Sequence, residues 1–253
     1  MIYDLQKASM WKRISAFLFD IILLGIVAVL FGWALSGALG YNGVQKRLDE
    51  AYARYSEEYG IDLKMSLREY EALDDEGRAT MEAAYAALGS DPQAKRDYNL
   101  VIQLSILIVS FGLLLGFLTM EFFIPLRLKN GMTLGKRIFG LGVMRTDGVR
   151  VSAVSMFIRT VLGKFAIETM IPLILISMIV WGSIGIVGPA VLLGIVGVEA
   201  VLLIATRNNS LIHDLLADTV VVDYASQMIF YSREDMIRYK EKLHAEQAAG
   251  QEY

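Results

Sequence analysis

Four stretches of this chain, at 14–39, 100–126, 161–181 and 184–206, are apolar over twenty or more consecutive positions. A helix of that length reaches across a hydrocarbon layer about 30 Å thick, at about 1.5 Å per residue. Water-soluble folds show their apolar residues in stripes instead, at period 3.6 or 2. With 55% of its 253 residues hydrophobic, the chain is expected to be an all-α membrane protein, a four-span helical bundle. The first run follows Lys7, Lys12 and Arg13, as a signal peptide would. It is too long for the roughly 7–15-residue core of such a peptide, so it reads as a retained first span.

The connections differ in charge, and the difference predicts sidedness. Residues 40–99 carry eight Lys/Arg and thirteen Asp/Glu, whereas the stretch from Arg127 to Arg159 carries seven Lys/Arg and one acid, Asp147. Basic loops stay on the cytoplasmic side, which puts both termini in the cytoplasm. The segments are then 1–39 (N-terminal segment and first span), 40–99 (an extracytoplasmic helical cap), 100–126 (second span) and 127–160 (a basic cytoplasmic connection). Residues 161–206 form the third and fourth spans as a hairpin, and 207–253 a strand followed by a helix and tail. SLRE at 66–69 has capping-box spacing, and Asp91-Pro92 opens a helix in register with the second span. Seven tyrosines between Tyr41 and Tyr98 suit packing of the cap. LGVMRTDGVRVS alternates around Asp147-Gly148 and predicts a short β-hairpin, to which TVVVDY could add a third strand. Pro172 predicts a kink within the third span.

Each apolar run keeps one acid: Asp20, Glu121, Glu168 and Glu199. Counted from the cytoplasmic ends, they lie roughly 8–11 Å deep, so all four share one layer. A carboxylate at such a position costs roughly 3 kcal/mol on insertion scales and needs compensation. Arg13 stands seven residues before Asp20, Arg159 opens the third span, and Lys164 lies four residues before Glu168, the spacing of a helical ion pair. The layer is either a closed ion-pair network or a polar cavity. Crowded acids can exchange a proton for a hard cation, with Asp20 and Glu121 the candidate ligands for a monovalent ion. No cysteine and two histidines, His213 and His244, argue against disulfides, thiolate chemistry and zinc.

Other motifs are weaker. NGMTLGKR resembles a phosphate loop but lacks a spacer residue and the Ser/Thr. It reads better as a turn whose Lys136 and Arg137 meet lipid headgroups or hold Asp214. In SLIHDLLADT, Asp214 either braces that turn or lines the mouth of the acid layer, with His213 as a pH-responsive neighbour. No hydrolytic constellation stands out and the basic loop is too short to suggest nucleic acid. No enzyme activity, cofactor or nucleic-acid partner is expected.

WKRISAFLFD, NGMTLGKRIFGLGVMRTDG, FIRTV and SLIHDLLADTVVV occur in that order across residues 9–224, and together they resemble the RDD membrane proteins. The resemblance implies that Arg13, Asp20 and Asp214 are the residues for which the family is named. It also implies a multi-pass protein of the bacterial inner membrane with a transport role, some relatives resembling Na⁺(K⁺, Li⁺)/H⁺ antiporters. The 40–99 segment is longer than that family suggests. Three functions follow as expectations: a secondary transporter, as a homo-oligomer because four spans are few; a membrane scaffold or accessory subunit; or a lipid-binding protein using Arg13 and Arg159.

Overall fold

The computed structural model describes residues 5–128, 130–206 and 208–249. Helix α1 (Met10–Ala38) is followed by α2 (Tyr41–Tyr59), α3 (Leu67–Glu71) and α4 (Asp75–Ser90). Helix α5 (Pro92–Phe117) runs through a π-helical turn, Leu118–Phe123, into α6 (Ile124–Leu128). Then come α7 (Leu134–Ile138), strand β1 (Leu141–Arg145) and α8 (Ala153–Phe157), which continues through a π-helical stretch, Ile158–Met170, into α9 (Ile171–Val180). Helices α10 (Val187–Ala205) and α11 (Ile212–Leu216), strand β2 (Thr219–Asp223) and α12 (Arg233–Ala249) complete the described chain.

Four continuous helical runs, Met10–Ala38, Pro92–Leu128, Ala153–Val180 and Val187–Ala205, are long and apolar enough to cross a membrane. Their surfaces are inverted relative to a soluble protein. Trp33 is 77% exposed and Leu193 71%, while Asp20 is 5% exposed and Arg159 2%. Apolar groups outside and ions inside is the arrangement that hydrocarbon favours, since lipid rewards an apolar exterior and an ion needs protein partners.

The chain divides into two compact units, one built from residues up to Ala28 and from Leu113 onward, the other from Val29–Gly112. The division falls within the first two long helices rather than at 39/40 and 99/100. In the second unit, α2 and α4 close a core of Ala51, Leu63, Met81, Ala84, Leu88 and Ala94, with Tyr52, Tyr55 and Tyr59 packed on it. Ser66 and Glu69 form the reciprocal capping box, and Arg47 grips Asp97 with two hydrogen bonds of 2.9 and 3.2 Å.

In the first unit the β-structure departs from the expected hairpin. Strand β1 pairs antiparallel with β2, from Leu141 opposite Asp223 to Arg145 opposite Thr219. The turn at Asp147-Gly148 forms, yet its returning limb makes only isolated bridges, Arg150 to Met144 and Val149 to Phe230. The reason is burial. Leu141–Met144 and Thr219–Val222 are buried at every position, so continuous apolar TVVV suits this strand better than alternating VRVS. Lys7 adds a bridge on the far side of Val222. Ala16 of α1, Met156 of α8 and the sheet residues Leu141, Val143 and Val221 share one core, which fixes the sheet against the helices.

Pro172 is the second residue of α9, but the helical run is continuous from Ala153 to Val180, so its missing N–H removes one intrahelical bond. The irregularity lies upstream, in the thirteen π-helical residues before it.

Candidate functional site

The buried ions are organised by two short helices, α7 and α11, that dock onto the long ones. Asp20 of α1 receives the Gly135 N–H at 2.8 Å and the Thr133 hydroxyl at 2.5 Å. Thr133 in turn caps α7, accepting from the Lys136 N–H. The docking depends on a missing side chain. A Cβ on Gly135 would overlap the Ala16 carbonyl oxygen and lie 2.9 Å from the Asp20 carboxyl carbon. These two donors satisfy the oxygens of a side chain that is only 5% exposed.

Lys136, the next residue, points inward. It is 9% exposed, with its Nζ 3.9 Å from both Asp20 and Glu121 and 3.2 Å from the Thr133 hydroxyl. Two buried acids hold it inside the protein rather than on its outer surface, whereas Arg137 is exposed. Burial, only partly offset by Glu121, lowers the Lys136 pKa to about 8.

Glu121 stands on the π-helical turn of the second long helix and pairs with Lys164 at 2.7 Å. The expected Lys164–Glu168 pair does not form. Lys164 lies in π-helix, which bonds i to i+5, so residues four apart are not stacked as they would be in an α-helix. Thr160 from the same stretch donates to the Glu121 carbonyl at 2.8 Å. Two lysines thus face Asp20 and Glu121, which leaves no excess negative charge there for a monovalent cation.

Asp214 on α11 forms the most buried pair. Arg159 donates to it directly and to Thr219 at 2.6 Å, while the Arg13 guanidinium approaches to 3.7 Å. Asp214 is therefore held by arginines and not by the 133–137 turn. Burial opposes its ionisation, but Arg159 and its other partners outweigh that and hold its pKa below the ordinary carboxyl value. His213, beside it, bridges two acids. Its Nδ1 lies 2.7 and 2.8 Å from the Glu168 oxygens and its Nε2 3.5 Å from Asp214. Its backbone N–H also donates to Glu168 at 2.8 Å. Burial, reinforced by Arg159, lowers the His213 pKa. Gly163 makes the contact geometry available, since a Cβ there would lie 2.5 Å from the His213 Cβ and 2.7 Å from its Cα.

Asp20, Glu121, Glu168 and Glu199 all line one cavity of about 650 Å³, with Lys164 and apolar groups such as Leu24, Phe117 and Ile195. Within it Glu199 is distinctive. Both of its carboxylate oxygens are buried without a hydrogen-bond partner among the described residues. A second cavity, of about 250 Å³, shares Phe17, Asp20, Glu121, Lys164 and Leu211 with the first and adds Arg13, Lys136, Arg159 and His213. Among the described residues no three His, Asp or Glu side chains converge to hold a metal ion.

Thr133, Thr160, Thr219, Gly135 and Gly163 were not evident as site residues from sequence. The threonine before LGKR carried a usable N-cap signal; the glycines carried none, because their role is the approach of a distant segment. No curated protein and no solved structure matches the chain. The sequence profile of the RDD family matches residues 7–218, a span that takes in Arg13, Asp20, both docking helices and Asp214, and the chain belongs to the RDD family.

Proposed function

We propose that this protein is a proton-coupled secondary transporter of the bacterial inner membrane, exchanging protons for a monovalent cation such as Na⁺ or K⁺ at Glu168 and Glu199. The observation that carries this reading is the pair of buried, unpartnered oxygens on Glu199, which face the 650 Å³ cavity. A buried carboxyl group needs a compensating partner, and a proton or an oxygen-ligated cation can each supply one. Asp20, Glu121 and Asp214 have cations beside them, so the exchangeable charge is at Glu168 and Glu199. The positive-inside rule supports cytoplasmic termini and a cytoplasmic 127–160 connection, with 40–99 on the outer side. Four spans are few for alternating access, which favours a homo-oligomer.

The test is cation-driven proton movement in vesicles containing the purified chain. Wild type is expected to exchange and Glu199→Gln to be inactive while retaining its fold. Unchanged exchange in Glu199→Gln removes the proposal. A second reading, a scaffold or accessory subunit, is favoured by the bracing role of the Asp20 and Asp214 contacts. It predicts no ion flux in wild type and a stoichiometric partner held through 40–99.

A further inference from the structure

The smaller cavity has the opposite character from the larger one. Four cationic side chains line it, Arg13, Lys136, Arg159 and Lys164, and three carboxylates lie within ion-pair range of them, Asp20, Glu121 and Asp214. These pairs by themselves leave one positive charge over, which Glu168 beyond Lys164 offsets in part. The carboxylates are also largely occupied by partners of their own: Asp20 by Thr133 and Gly135, Glu121 by Lys164, Asp214 by Arg159.

The donors are not occupied to the same degree. A guanidinium has five N–H groups and an ammonium three. Among the described residues Arg13 makes one long hydrogen bond, 3.4 Å to the Asn208 carbonyl, with its side chain only 12% exposed. Arg159 uses Nη1 alone, for Asp214 and Thr219. The Lys136 ammonium has one hydrogen bond, to Thr133, and no carboxylate closer than 3.9 Å. Donors with hydrogens to spare on a cavity wall suit an anion with several oxygens.

Apart from His213, the rest of the wall is apolar. Ile14, Phe17 and Leu203 line the same space, and Ile14 and Phe17 are 40% and 59% exposed on α1, in the surface that faces hydrocarbon when this helix spans a membrane. At about 250 Å³, the cavity has the volume of roughly eight waters, room for a carboxylate or phosphodiester group and the start of an acyl chain.

We propose that the cavity binds the anionic head of an amphiphile, a phosphodiester or carboxylate, against Arg13, Lys136 and Arg159, with its acyl chain leaving past Ile14, Phe17 and Leu203. This site is separate from the Glu168–Glu199 pair and stands whether or not that pair exchanges ions. The test is native mass spectrometry of the purified full chain titrated with dioleoyl phosphatidylglycerol, dioleoyl phosphatidylcholine or inorganic phosphate. Phosphatidylglycerol is expected to bind about tenfold more tightly than phosphatidylcholine, the worth of one charge-assisted contact. Arg13→Gln is expected to abolish the difference. Leu203→Trp, which fills the tail side and touches no ion pair, is expected to weaken phosphatidylglycerol while leaving the Arg13 contacts in place. Equal binding of the two lipids to wild type overturns the proposal without reference to any variant. Displacement of phosphatidylglycerol by millimolar inorganic phosphate overturns the amphiphile and leaves a free-anion site.

Discussion

Replacing Asp214 by Asn isolates the charge at the centre of the arginine cluster. Asn has the same shape, and its single carbonyl oxygen keeps one of the two contacts that the carboxylate accepts, from the Thr219 hydroxyl on Oδ1 or from the Leu211 N–H on Oδ2. What disappears is the counter-charge for Arg159, 2% exposed, and for Arg13 at 3.7 Å. At an effective dielectric constant near 20, two unit charges at that separation attract by roughly 4.5 kcal/mol. Desolvation cancels part of this, and breaking a buried pair by removing one partner costs about 3–5 kcal/mol in total. We expect Asp214→Asn to lose that much in equilibrium unfolding in mixed micelles at pH 7. In an Arg159→Met background the same change is expected to cost less by at least about 2 kcal/mol, because the orphaned guanidinium is gone. The pH dependence has a definite sign. The folded-state pKa of Asp214 lies below its ordinary value, so the unfolded chain binds the proton first as pH falls. The stabilisation is fully present above the ordinary carboxyl range and is lost as pH drops through the folded-state value. A cost below about 1 kcal/mol, or strict additivity with Arg159→Met, refutes the assignment of this pair as a desolvated unit.

Two further predictions rest on contacts and charge. Gly163→Ala puts a methyl group into the His213 backbone, so α11 must move; we expect about 1–3 kcal/mol of destabilisation and a loosened His213–Glu168 contact, read as a changed His213 imidazole shift by ¹⁵N NMR. Lys136, with its pKa lowered to about 8 by burial, releases its proton earlier in the folded chain than in the unfolded one. Stability should therefore rise between about pH 8 and pH 10, by on the order of 3 kcal/mol, and Lys136→Met should flatten that limb of the unfolding curve.

Much of the fold was legible because hydrocarbon imposes a simple rule on sequence. Twenty apolar residues in a row leave few options, and the four runs correspond to the four long helices. The capping box at Ser66 and Glu69 and the helix entering at Pro92 were equally readable, since both depend on neighbours within one turn. The β-structure was read less well. Alternation around Asp147-Gly148 pointed to its own sequence neighbour, whereas the partner that wins is TVVVD, some seventy residues on, because only a strand buried on both faces fits between the sheet's other contacts.

The site shows where such reasoning stops. Counting residues at 1.5 Å each gives the height of a side chain along its helix, and that count led to the expectation of one layer for the four acids, all of which line the larger cavity. Azimuth is a different quantity. It accumulates residue by residue, and each π-helical segment resets it. Six residues around Glu121 and thirteen from Ile158 to Met170 are π-helical, and those stretches carry Glu121, Arg159, Lys164 and Glu168. An α-helical wheel through them therefore puts Lys164 over Glu168, while the observed helix turns it to Glu121. The remaining partners come from α7 and α11, five-residue helices whose docking is decided by Gly135 and Gly163. A residue chosen for having no side chain leaves no local signal, so the layer of acids was readable in one dimension and its pairing, which separates a neutralised ion pair from the unpartnered carboxylate of Glu199, required the other two.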